Sequence, residues 1–200
     1  MVSMNTTALL IDLDGVIHFQ EKLIPGAIEA IRLIQQKNIP HRFVTNTTTH
    51  SRRQIIGRLA QVGISIPHDH LFTALVAAAQ YLRSLSTKCC YFYAREGIKE
   101  EFDGVGMTET DPTHVVIGDV GEGFSYEKMN RVFNMVHGGA EIIALQKNRF
   151  WITKEGLKLD AGRLSPLWSM QLERQPGSSA NPRWSSSCRR ARAFSVPQPK

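Results

Sequence analysis

The sequence has little cysteine, no long apolar run and, over residues 1–162, no excess of charge of either sign. Three cysteines, Cys89, Cys90 and Cys188, give neither a disulfide framework nor a zinc-binding spacing, so a reducing, cytoplasmic setting is the expectation. The apolar stretches fall far short of a membrane span, and no basic segment leads into an apolar one near the N-terminus. No membrane partner is expected. The net charge of +6 sits in residues 163–200, which hold seven of the 24 Lys and Arg residues and one of the 18 acidic ones. The other 17 of each sign cancel, which argues against a body built to bind nucleic acid. What is present is a hydrophobic content of 42%, enough in 200 residues to bury a core.

Residues 1–162 alternate strand and helix signals. The apolar run Ala8-Leu9-Leu10-Ile11, ending at Asp12, reads as a buried parallel strand. Pro25-Gly26 opens a helical pattern that closes near Asn38, and Arg42-Phe43-Val44 reads as a second strand. Ser51 can cap a helix terminated by Gly63, and residues 71–85 carry a third helical pattern. This β-α-β-α order implies an α/β sheet with right-handed crossovers. A second α/β unit follows, with strands at Cys89–Tyr93, His114–Gly118 and Ala140–Leu145 and a helix at Tyr126–Val136. The expected division is 1–85 for the first unit, 86–162 for an inserted one and 163–200 for a tail. That tail holds eight serines and five of the nine prolines, reads as disordered, and has no apolar period.

The chemistry concentrates at two strand ends. In Ile11-Asp12-Leu13-Asp14-Gly15-Val16, two carboxylates at i and i+2 with a following glycine can converge on one small volume. One aspartate can attack phosphorus, splitting a hard substitution into two easier ones. The other can give a proton to the leaving oxygen and take one from water. A hard cation such as Mg²⁺ would bridge carboxylate and phosphate. The plain alternative is an acidic strand-to-loop turn. The second element, Phe43-Val44-Thr45-Asn46-Thr47-Thr48, offers hydroxyl and amide donors suited to phosphoryl oxygens. Alone it is an ordinary polar loop. One helix downstream of the paired aspartates, it gains meaning.

Together with the Pro25-Gly26-Ala27 helix start, these motifs resemble the haloacid dehalogenase (HAD) superfamily, in particular its subclass IIA phosphatases. The likeness covers residues 6–162. It implies an α/β fold, a Rossmann-like HAD core with an inserted α/β cap of type C2, both incomplete here. It implies a Mg²⁺-dependent phosphatase acting on a small phosphorylated substrate through an aspartyl phosphate. By matching positions, Asp12 is the nucleophile and a metal ligand. Asp14 is the acid/base, with its backbone carbonyl on the metal, and Thr45 and Asn46 bind phosphate. A homodimer formed through the cap is compatible with the resemblance.

Two further family motifs are absent: a lysine in a Gly-Lys-Pro run, and a later acidic pair that completes the metal site. Asp119 mimics the acidic motif but lacks its partner, and reads as a strand-end turn residue; Lys147 and Lys154 read as surface residues. The likeness stops at Gly162. There the genetic code permits a shifted frame spelling the family blocks PFVAALEYATG and VVGKPSVEFF in order. The Met170-Gln171 junction forces an alanine codon where one is expected, and Ala180-Asn181 can give the lysine. Residues 163–200 are therefore read as out-of-frame translation, and the chain as a truncated phosphatase of poor solubility and little or no activity.

Two other classes compete. A non-catalytic fragment could bind a partner through uncovered core surface. Alternatively, Arg189-Arg190-Ala191-Arg192 could neutralise nucleic-acid phosphates, though these residues share no helical face. The seven histidines show no metal-binding spacing: His18 is expected at the site entrance, and His68-Asp69-His70 as a solvated helix-start loop.

Overall fold

The computed structural model describes residues 8–19, 22–85, 89–146, 148, 150–153, 156–159 and 192–193. Its first parallel sheet has the order β1-β4-β5, formed by β1 (Leu9–Asp12), β4 (His41–Thr45) and β5 (Leu71–Thr73). Between β1 and β4 come a small antiparallel hairpin, β2 (His18–Phe19) with β3 (Lys22–Leu23), and helix α1 (Ala27–Gln36). Helix α2 (Arg52–Gln61) links β4 to β5. Because side chains alternate along a strand, Ile11, Phe43 and Leu71 share one face and pack with Ile31 of α1 and Ile55 and Leu59 of α2. The opposite face carries Leu10 and Phe72, both exposed. The expectation of a buried first strand is corrected here. β1 is an edge strand with only β4 beside it among the described elements, and Leu10 is 76% exposed.

The helical pattern at 71–85 is also corrected. Its first three residues form β5, and helix α3 spans Ala74–Ser84. A three-residue lead-in has no periodicity of its own, so pairing with β4 decides its state. Thr73 marks the boundary by accepting the Val76 N–H at 3.1 Å. Accordingly His68–His70, a short 3-10 turn, leads into a strand rather than a helix.

A second parallel sheet has the order β11-β8-β7-β6, with β6 (Cys90–Tyr93), β7 (His114–Ile117), β8 (Glu141–Ala144) and β11 (Arg192–Ala193). Alternation sorts its residues cleanly. Cys90, Val116 and Ile143 pack with α3 and with the 3-10 segment Glu96–Phe102. Tyr91, Val115, Ile117 and Ile142 pack instead with helix α4 (Tyr126–His137). A separate hairpin joins β9 (Phe150–Thr153) to β10 (Gly156–Leu159). Within the tail read as disordered, Arg192–Ala193 pairs in parallel with β8, while the rest of 163–200 lies outside the described residues, as do Lys147 and Lys154. No helix among the described residues is long and apolar enough to cross a membrane.

His114 opens β7 in a buried position, with Nδ1 2.9 Å from the Thr113 hydroxyl and Nε2 4.0 Å from Glu141. Burial lowers its pKa from the ordinary 6.5, against the opposing pull of Glu141. The unfolded chain therefore takes up this proton first as the pH falls. Stability is complete above the ordinary value and is lost progressively below it. Denaturant midpoints at about pH 7.5 and about pH 5.5 should show that loss, and His114→Asn should reduce the difference between them.

Candidate active site

β1 and β4 run parallel with Asp12 opposite Val44, so Asp12 and Thr45 emerge at one carboxyl edge of the first sheet. Chemistry in open α/β sheets gathers at that edge. After Asp12 the chain turns sharply. Leu13 is buried, its carbonyl accepts the N–H groups of Ile17 and His18, and Gly15 takes φ +82°. That left-handed conformation suits glycine. The turn leaves Asp14 exposed, pointing back toward the loop that follows β4.

There the two motifs meet. Asp14 Oδ2 accepts the Thr47 hydroxyl at 2.9 Å and lies 3.3 Å from the Thr45 hydroxyl, while Asp14 Oδ1 faces His18 Nδ1 at 3.5 Å. Thr45 is fully buried, and its Oγ1 accepts the Thr47 N–H at 3.1 Å. The loop is thus fixed from within, with Asn46 between the two threonines in sequence. Its exit is fixed too. Ser51 caps α2 through a reciprocal box with Gln54, its Oγ accepting the Gln54 N–H at 3.4 Å and its own N–H donating to Gln54 Oε1 at 3.0 Å.

Asp12 is half-buried, and its Oδ1 accepts the Leu13 N–H at 2.8 Å. Burial raises its pKa and the neighbouring Asp14 charge raises it further, while backbone donors and His18 act in the other direction. A carboxylate made more basic in this way is a better nucleophile than one fully in water. Among the described residues, no lysine or arginine is among the charges acting on it.

The structure therefore joins Asp14 to Thr45 directly and sets Asp12 beside them, with Asn46 in the same loop. His18 lies against Asp14, its Nδ1 3.5 Å from the Asp14 Oδ1. Thr47, quoted within the second motif but given no role, makes the shorter bond to Asp14; the run of threonines around it was the available signal. Asp119 is a turn residue, accepting the Gly121 N–H at 2.7 Å. Among the described residues no group of three or more His, Cys, Asp or Glu side chains converges as a metal site. Two aspartates with an adjoining backbone carbonyl still suit Mg²⁺, which takes one or two carboxylates and keeps water and phosphate as its other ligands.

Residues 9–108 match the model of the haloacid dehalogenase-like hydrolase family. The chain belongs to that family. Haloacid dehalogenase-like hydrolase domain-containing protein 2 of Mus musculus is 35% identical over 155 residues, covering 78% of this chain and 59% of that protein. Phospholysine phosphohistidine inorganic pyrophosphate phosphatase of Rattus norvegicus is 32% identical over 160 residues, covering 77% and 58% respectively. A solved structure, p-nitrophenyl phosphatase from Archaeoglobus fulgidus, superposes with a TM-score of 0.78 at 23% identity, over 86% of this chain and 67% of that one. At that identity the match speaks for the fold, an α/β HAD fold as expected. The chain spans about three-fifths of the length of the mouse and rat relatives. The HAD likeness read from Asp12-Leu13-Asp14-Gly15 and Thr45-Asn46 is thus upheld at the level of the family.

Proposed function

We propose that this HAD family member carries the phosphoryl-transfer site of a Mg²⁺-dependent phosphatase. The observation that supports this reading best is Asp14 gripped by Thr45 and Thr47, a loop more than thirty residues away, beside a half-buried Asp12. An Asp12 oxygen attacks the phosphorus of a small phosphorylated substrate, and the ester P–O bond breaks. Asp14 gives its proton to the leaving oxygen. Asp14 then removes a proton from water, which attacks the aspartyl phosphate and returns Asp12 and inorganic phosphate. The hydroxyls of Thr45 and Thr47 orient Asp14 for both transfers, and Thr45 and Asn46 supply donors to the phosphoryl oxygens. Mg²⁺, held by the Asp12 carboxylate and the Asp14 carbonyl, would offset the repulsion between carboxylates and phosphate.

The division at 1–85, 86–162 and 163–200 belongs to the same reading, with β6, β7 and β8 in the cap and 163–200 translated out of frame. With no lysine or arginine of the described residues among the charges acting on Asp12, the site is over-negative for a phosphate dianion. The 200-residue chain is therefore expected to turn over little substrate. The test is hydrolysis of p-nitrophenyl phosphate with Mg²⁺, by this chain and by the product of the frame-corrected gene. Turnover near background is expected from the first. Clear turnover is expected from the second, abolished by chelation and by Asp12→Asn. Frame-corrected turnover that survives Asp12→Asn would remove Asp12 as nucleophile; strong turnover by the 200-residue chain would refute the charge argument. Sequencing the DNA across the Gly162 codon decides the frame.

A further inference from the structure

The first sheet has a second edge, the amino ends of its strands, opposite the one that carries Asp12 and Thr45. Two histidines meet there. His41 is the first residue of β4, and His70 closes the 3-10 turn that runs into β5. β4 and β5 are parallel neighbours with Phe43 opposite Leu71, so residues far apart in sequence come side by side. The two ring centroids lie 5.6 Å apart and the ring planes cross at 82°. Both rings line a cavity of about 340 Å³, together with Gln35 and Asn38 at the end of α1 and Arg42.

Each ring keeps a nitrogen for a ligand. His41 Nδ1 lies 2.8 Å from the Ile39 carbonyl, an oxygen that can only accept. In the neutral ring that nitrogen carries the proton, which leaves the lone pair on Nε2. A backbone carbonyl fixing the other nitrogen is how metal-binding imidazoles are oriented. The edge-on contact with Phe43, centroids 5.5 Å apart, holds the same ring. His70 Nδ1 is buried and has no hydrogen-bond partner among the described residues. Such an orphan costs about 1–3 kcal/mol, which an occupant of the cavity would offset. Metal–nitrogen bonds of about 2.0–2.1 Å put the centres of two imidazoles on one ion roughly 5–6 Å apart, as these two are.

We propose that His41 Nε2 and His70 Nδ1 form a site for a first-row divalent cation such as Zn²⁺ at the amino edge of the first sheet. Imidazole nitrogen suits such ions, whereas Mg²⁺ takes oxygen ligands, so this site differs from the aspartates in place and in chemistry. Asn38 lines the same cavity and can offer its amide oxygen, with water completing the coordination. The C-terminal turn of α1 adds partial negative charge on this side. Arg42 opposes a cation, but it is exposed and its Nη1 donates to the His41 carbonyl at 2.9 Å, so water screens its charge. A bound ion would tie the start of β4 to the turn before β5 and stabilise the fold according to its occupancy.

The test is calorimetric titration of the 200-residue chain with Zn²⁺, at about pH 7.5 where imidazole is neutral, in excess Mg²⁺ that occupies oxygen-ligand sites. His41→Gln and His70→Gln are each expected to weaken one Zn²⁺ site at least tenfold. The double variant should lose no more than either single one, because both rings hold the same ion. His68→Gln, at the exposed start of the same turn, should bind as the unaltered chain does. Zn²⁺ should also raise the thermal midpoint of the unaltered chain and of His68→Gln, but of neither other single variant. Midpoints without Zn²⁺ separate loss of a ligand from loss of fold. No binding in excess Mg²⁺, full binding by His41→Gln or His70→Gln, an equal loss in His68→Gln, or losses that add in the double variant would each overturn the shared site.

Discussion

Phe43→Ala is expected to lower the stability of the chain by about 3–5 kcal/mol, the usual loss for removing a buried aromatic ring. Phe43 is 0% exposed at the centre of β4, between β1 and β5, and packs among Ile31, Ile55, Leu59 and Leu71. Its ring also meets His41 edge-on, with centroids 5.5 Å apart. Helices α1 and α2 both rest on this one residue, so a cavity there has no easy way to close. Small domains hold only about 5–15 kcal/mol in all, and the variant should lose much of its cooperative transition. Urea denaturation followed by far-UV circular dichroism reads the effect. Phe43→Leu, which keeps most of the volume, should lose roughly 1 kcal/mol. Equal, small losses for both variants would show that β4 is not the centre of the core. Phe43 lies two residues before Thr45 on the same face, so the cavity variant should also loosen the grip on Asp14.

Glu101→Ala should be the second most damaging change, at about 2–3 kcal/mol. Its side chain is 4% exposed, and its two oxygens accept from the Arg52 N–H at 2.6 Å and from Arg52 Nε at 2.9 Å. The first of these is a backbone donor in the opening turn of α2, where helical amides have no partner within the helix. A carboxylate there also meets the positive end of the helix dipole. Removing it strands the amide, whereas the Arg52 side chain, 22% exposed, can turn toward solvent. That escape keeps the expected loss below the full cost of a broken buried pair. Glu101→Gln keeps an acceptor and should lose only about half as much. Double-mutant cycles with Arg52→Ala measure the coupling; a coupling near zero would mean that the two elements are held together by apolar packing alone.

The parts of the site legible in the sequence are those that local pattern dictates. An apolar run broken by Asp12 and Asp14, and Phe43-Val44 broken by Thr45 and Asn46, announce strands that end in functional loops. The Ser51 cap, with Gln54 three residues on, was equally readable because capping acts within one helical turn. The misread stretch, Leu71–Thr73, is too short to show a period, and its strand state comes from β4. Nothing near Glu101 in the sequence marks it as buried, since its partner Arg52 is 49 residues away. Leu10 shows the reverse failure. Its apolar neighbours predict burial, yet which strand lies at a sheet edge is a property of strand order.

By itself, then, the sequence determined an α/β chain of the HAD family, with Asp12, Asp14, Thr45 and Asn46 at strand ends. The strand ends follow from side-chain alternation and short-range hydrogen bonding, which act over a few residues, and the family from the resemblance of the two motifs to known ones. Only the tertiary structure decided that Thr47 and His18 both meet Asp14, that Glu101 ties the second sheet's segment to α2, and that Arg95 and Asp119 lock together at the ends of β6 and β7. Each of these contacts except the His18–Asp14 pair joins residues more than twenty positions apart. Sheet order and crossover brought them together, and no local propensity specifies such distances.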